Sequence, residues 1–195
     1  VTIGCGDYHS FAVDKAGKVY AWGLNTFCQT GVPKGEDDET DTVKTPTIVE
    51  SLQESNFGKV TQITGGAHHT LALTNSNKVL VLGRVDNAQL GAKVGDVSKE
   101  YFFYDEREKP RYLVKPFELQ QFKGEYISAA TDTCLCISTD GEPWSWGFST
   151  NYQTGLGTTD EVLEATQIAN SAVADREMVF CGVGGQFGVL AAQAE

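Results

Sequence analysis

The sequence predicts an all-β protein, a β-propeller assembled from four-stranded blades. Three observations carry that prediction. A segment recurs along the chain in a fixed register, each copy reads as short strands joined by Gly or Asn turns, and no helical pattern is long enough to support an α/β fold.

The first copy, "TIGCGDYHSFAVDKAGKVYAWGLNTFCQTG", covers residues 2–31. Moved along by 60 it meets "QITGGAHHTLALTNSNKVLVLGRVDNAQLG", residues 62–91, without a gap. Nine positions are then identical: Ile3, Gly6, His9, Ala12, Lys18, Val19, Gly23, Gln29 and Gly31 fall on Ile63, Gly66, His69, Ala72, Lys78, Val79, Gly83, Gln89 and Gly91. A third copy starts at Ile127, a further shift of 64, and matches Trp22, Gly23, Gln29 and Gly31 with Trp146, Gly147, Gln153 and Gly155. A partial fourth, "VFCGVGGQFGVL", spans 179–190.

Within a copy, "HSFAVD" and "HTLALT" alternate as half-buried strands do. The turns that follow, Lys15-Ala16-Gly17, Asn75-Ser76-Asn77 and Asp140-Gly141, use residues that tolerate positive φ. "KVYAWG" and "KVLVLG" are the return strands, rich in β-branched and aromatic residues. After the closing glycine come Pro33 and Pro46 and then "TIVESL", expected as a fourth strand. The repeats divide the chain at 1–59, 60–123, 124–175 and a partial 176–195. Three blades and a fragment do not close a ring, and an open stack leaves unprotected edges. The expectation is therefore a portion of a larger propeller, or a piece that pairs with another. Val1 already lies in a strand pattern, which reads as a cut through something longer.

Composition narrows the function classes. Of 195 residues, 41% are apolar and 10% aromatic, enough for a packed core. The formal charge is −11, which argues against broad contact with a phosphate backbone and favours basic protein partners. Five cysteines with no C-x-x-C pair read as buried free thiols in a reducing, intracellular compartment. No signal peptide pattern opens the chain, and no apolar run approaches membrane-spanning length.

The Gly-x-x-His, D-G or N-x-N turn, V-x-x-W-G and Q-x-G elements resemble the repeat of the regulator of chromosome condensation family, whose members form seven-bladed propellers. "TGGAHHTLALTNSNKVLVLGR", "WGFSTNYQTGLGTTDE" and "VGGQFGVL" occur in the order found in the C-terminal half of the family's chromatin-bound member. The repeated G-W-R-H-T motif of the ultraviolet-receptor branch is absent. The resemblance implies a guanine nucleotide exchange factor for the small GTPase Ran, nuclear, with histones or the nucleosome as a further partner and with no cofactor. A propeller scaffold without exchange activity is the alternative. In two places the chain departs from the family pattern. Phe187 follows the final G-G-Q where animal members carry His, and Cys28 precedes Gln29 where a His is found. The family's β-wedge and acidic exchange residues lie in the N-terminal half, outside the matched portion.

An exchange factor breaks no covalent bond, so the residues of interest are contact groups on blade-end turns. His69 sits where His9 sits one repeat earlier, and both could simply close a turn. For His69 the resemblance implies a contribution to exchange, with His68 as a weaker neighbouring contact. Adjacent strand residues diverge, so the pair does not suit zinc. No triad, G-x-S-x-G or Walker loop is present, and "GVGGQ" reads as a tight turn. Cys134 and Cys136, and Trp22 and Trp146, are expected to pack in the blades. The acidic run 35–41 reads as a solvated loop that could also attract a basic partner. The aromatic and charged insert 99–116 has no counterpart in the other repeats; it either binds a partner or covers a blade edge.

Overall fold

A computed structural model describes residues 1–34 and 41–194. The run 35–41 therefore lies outside the described residues except for Asp41.

Among the described residues four antiparallel sheets follow one another along the chain. The first is β1 (Thr2–Cys5), β2 (His9–Val13), β3 (Val19–Leu24) and β4 (Thr42–Ile48), in that order. The second is β5 (Val60–Gly65), β6 (His69–Thr74), β7 (Val79–Arg84) and β9 (Pro110–Glu118), with the short β8 (Phe102–Tyr104) added outside β9. The third is β10 (Gly124–Ala130), β11 (Thr133–Ser138), β12 (Pro143–Gly147) and β13 (Val162–Gln167). A two-stranded sheet of β14 (Met178–Val183) and β15 (Gly188–Ala192) ends the described chain. The first hairpin turns place Gly17, Asn77 and Gly141 at φ of 85°, 60° and 74°, the left-handed conformation that Gly and Asn accept.

The sheets stack face to face, and the period of two along each strand decides which neighbour a side chain meets. On β6, Leu71 and Leu73 join a core with Ile127, Cys134, Cys136 and Trp146 of the third sheet. Ala72, between them, joins Phe11, Val13 and Ala21 of the first sheet. On β11, Cys134 and Cys136 look back toward the second sheet while Leu135 and Ile137 look forward to Met178 and Cys181. This two-sided burial is why "LALT", "VLVLG" and "CLCIS" read as continuous apolar runs (β6 and β11 are buried at every position). The outer-facing residues of β2 are only half-buried.

Three sequence expectations are refined. The fourth strand of the first sheet lies at Thr42–Ile48, earlier than "TIVESL", and Glu50–Leu52 is a 3₁₀ turn. Val49 and Leu52, three apart, both turn into the core, which suits a three-residue turn and not a strand. Only the first part of the insert lacks a counterpart: residues 110–116 belong to β9, the blade's own fourth strand, while β8 covers the edge by pairing with β9, and Phe102 joins the core between the second and third sheets. The thiols are free, but only Cys134, Cys136 and Cys181 are buried; Cys28 is half-buried and Cys5, on the edge strand β1 of the first sheet, is exposed. The one α-helix among the described residues is the four-residue Glu54–Phe57. Among the described residues no helix is long and apolar enough to cross a membrane.

Candidate functional site

The turns between the first two strands of each sheet lie at one end of the stack, and the two adjacent histidines sit in the second of them. Gly66 N–H donates to the His69 carbonyl at 3.0 Å, as Gly6 N–H does to that of His9 at 2.9 Å. The glycine is required by close approach. A Cβ on Gly66 would lie 2.3 Å from His69 Cε1 and 2.4 Å from the Thr131 carbonyl; one on Gly6 would lie 2.4 Å from His9 Cε1 and 2.3 Å from the Gly66 carbonyl. The Gly-x-x-His element is thus a turn folded under its own imidazole. In the third sheet Thr133 takes the histidine position and Ala130 the glycine position. In the fourth, Gly184 N–H donates to the Phe187 carbonyl at 2.8 Å, and a Cβ on Gly184 would meet the Phe187 ring at 2.4 Å. Phe187 therefore fills the slot of His9 and His69.

His69 begins β6 and its ring points to the third sheet. It is 0% exposed, and its Nε2 lies 3.0 Å from Cys134 Sγ. Burial pushes the imidazole down to about 4 and the thiol well above its usual value, which favours the neutral form of both. His9 makes the equivalent link one sheet earlier, with Nε2 at 2.7 Å from Thr70 Oγ1. The Thr70 hydroxyl gives its proton to the Gln29 carbonyl at 2.8 Å, so His9 Nε2 is the donor to the hydroxyl. Burial, with the nearby His69 and His68, holds His9 at about 3. In the third sheet Cys134 replaces Thr70, and the Gln89 carbonyl receives instead the Trp146 Nε1–H, 2.9 Å away on the strand paired with it. The two histidines predicted in register are therefore both inter-sheet bonds. His69 offers no surface to a partner, and the half-exposed His68 is the imidazole at the molecular face.

His68 is the last residue of the turn, before β6 begins. Its ring stacks on Tyr8, the same position one repeat earlier, at 5.5 Å and 23°, and lies 5.2 Å from the Phe27 ring. Burial and the Arg84 charge lower its pKa, while Asp132, Asp7 and Asp86 act against them. The Arg84 guanidinium covers Phe27 at 5.3 Å and pairs with Asp86, which also receives Arg111 Nη2 at 3.1 Å. Beside this turn run the Q-x-G loops. Gln29, Gln89 and Gln153 accept the N–H of the residue two before them at 2.8–2.9 Å, around Cys28, Ala88 and Tyr152 at φ of 54°, 63° and 59°. Gln89 then donates to Asp132 at 2.7 Å, tying its loop to the next turn. Arg84 closes the L-G-R stretch on which the resemblance rests, but no motif singles out Tyr8, Phe27 or Asp86; that Tyr8, His68 and Asp132 share one repeat position is the available signal. Among the described residues no three His, Cys, Asp or Glu side chains gather as a metal ligand set.

Residues 1–29 and 16–73 match the signature of the regulator of chromosome condensation (RCC1) repeat. Protein pim1 of Schizosaccharomyces pombe is 37% identical over 193 residues, 98% of this chain and 35% of pim1. Residues 1–73 therefore carry repeats of the regulator of chromosome condensation family. A second relative of this kind, the guanine nucleotide exchange factor SRM1 of Saccharomyces cerevisiae, is 32% identical over 96% of this chain and 38% of SRM1. The crystal structure of Prp20p from Saccharomyces cerevisiae, a protein characterised for binding to Gsp1p and histones, superposes with a TM-score of 0.88 at 30% identity. It is covered to 43% by 97% of this chain. The four sheets are accordingly blades of an RCC1-type propeller, and the chain spans well under half the length of the relatives it matches.

Proposed function

We propose that this chain carries part of a guanine nucleotide exchange factor for the small GTPase Ran, acting in the nucleus on chromatin and so supporting nucleocytoplasmic transport and mitotic progression. The supporting observation is continuous similarity, over 96% of the chain, to a relative named as an exchange factor. Histones, or the nucleosome, are proposed as a second partner, in keeping with the binding described for Prp20p. The exchange factor binds nucleotide-free Ran more tightly than loaded Ran, and that differential affinity drives release without covalent chemistry.

In this reading the partner meets His68 directly, on a turn held by the rigid blades. His69 acts as a positioning residue: its bond to Cys134 fixes the turn on which His68 stands. The test is release of a fluorescent guanine nucleotide from Ran by the full-length protein. Acceleration by the wild type is expected. His68→Ala is expected to slow it about thirtyfold at unchanged melting temperature, the size of an interface hot spot. His69→Ala is expected to lower both rate and melting temperature. A wild-type protein that leaves the release rate unchanged would be a propeller scaffold and not an exchange factor.

A further inference from the structure

The hairpin of β8 and β9 does more than its edge-covering role requires. Sealing the second blade uses Phe102, which is 6% exposed and packs in the core. Phe103 points the other way from the strand and is 47% exposed. Its ring lies flat on Tyr112 of β9, at 4.7 Å and 10°. Tyr112 in turn meets Phe27 of the first blade edge-on at 6.2 Å. Phe27 meets His68, and His68 stacks on Tyr8, which is 59% exposed. Five rings thus run without a break from the outer rim of the second blade to the first turn.

Among the described residues, the cations along this ladder are paired with carboxylates, while Asp7 and Asp132 beside His68 face no cation. Arg84 and Arg111 share Asp86, Arg111 also faces Asp105 at 3.8 Å, and Lys34 pairs with Asp41 at 2.7 Å. Arg84 and Lys34 lie over the Phe27 and Tyr112 rings at 5.3 and 5.6 Å. The surface therefore presents flat rings with paired cations at their margins. That composition matches the centre of a protein–protein contact, where aromatic residues and Arg dominate, and not a nucleic-acid surface, which needs unpaired cations.

We infer that the β8–β9 hairpin is a second contact arm for the GTPase, with Phe103 and Tyr112 extending the His68 face outward to an apolar or aromatic surface of the partner. This rests on the exchange reading above. The partner covers Phe103 on binding, and Tyr112 transmits the arm's position to Phe27 and so to the ring of His68.

The experiment uses the full-length protein and nucleotide-free Ran. Affinity is measured by interferometry, nucleotide release by fluorescence, and folding by thermal melting. Phe103→Ala is expected to weaken affinity about tenfold with an unchanged melting temperature, and Phe103→Tyr, which keeps the ring, to restore it. If the wild type binds Ran and releases its nucleotide while Phe103→Ala matches it in both, the arm is overturned and the exchange reading stands. If Phe103→Ala melts earlier at unchanged affinity, the ring serves folding and the arm is overturned. If the wild type neither binds Ran nor releases its nucleotide, the exchange reading falls and the arm falls with it.

Discussion

His9 and His69 show how a residue that titrates near neutrality is made inert. Each is enclosed between two blades, with Nε2 bonded to Thr70 or Cys134 and no counter-charge in hydrogen-bond reach. Burial holds them neutral down to about 3 and about 4, whereas in the unfolded chain an imidazole takes up its proton near 6.5. Between those values the unfolded chain binds protons that the folded one refuses, so stability falls as pH falls. The contribution is intact above about pH 6.5 and declines, by up to about 1.4 kcal/mol per pH unit for each histidine, until the folded-state values are reached. Urea midpoints at pH 7.5, 6 and 5 check this. His69→Gln is expected to be less stable than the wild type at pH 7.5 yet to lose stability more slowly on acidification. Parallel lines for the two proteins would remove His69 from the pH dependence.

The turn between the first two strands of a blade is the element that the repeat encodes most tightly. Glycine and the ring above it occupy one space, so they should vary together, and within this chain they do: Gly6 with His9, Gly66 with His69, Gly184 with Phe187, and Ala130 with Thr133. Gly66→Ala puts a methyl group into the His69 ring and the Thr131 carbonyl, and overpacking of this kind costs about 1–3 kcal/mol. Adding His69→Thr recreates the third blade's pair and removes the ring clash but not the Thr131 carbonyl, so it is expected to recover part of that loss, a coupling that a double-mutant cycle in urea reads directly. A strictly additive cycle would refute the shared-space account. The repeats, their turns and most of their strands are legible in the register of the amino acids alone, because Gly6 and His9 recur as Gly66 and His69 at a fixed spacing. Register does not carry the direction of each imidazole. His69 points between blades because odd positions of β6 look toward the third sheet, and that depends on which sheet lies on which side. The ring ladder is hidden for a related reason. Tyr8, Phe27, His68 and Tyr112 come from four separate segments and meet only through the stacking of two blades.

Across the molecule, burial rises from the outer sheets to the middle ones. The second and third sheets are covered on both faces, with Leu71 and Val81 at 0% and Leu135 at 1% exposure. The first and last each present an apolar face, where Ile3 is 80%, Phe187 61% and Val189 47% exposed. Local opening costs least where few apolar contacts must be broken, so the 195-residue chain should not exchange its amides as one block. Hydrogen exchange followed by mass spectrometry is expected to find β6, β7 and β11 slowest, opening only with the whole chain, and β1, β14 and β15 fastest. The inter-blade bonds refine the order. β2 should lag behind β1, because His9 and Phe11 anchor it to the second blade. Burying the open faces against further blades of the same kind should bring β1 and β15 toward the protection of the centre, as each repeat is stabilised by its neighbours. Protection that is uniform from β1 to β15 in the isolated chain would contradict this gradient and mean that the outer faces are covered, by self-association or otherwise; sedimentation at the same concentration separates those cases.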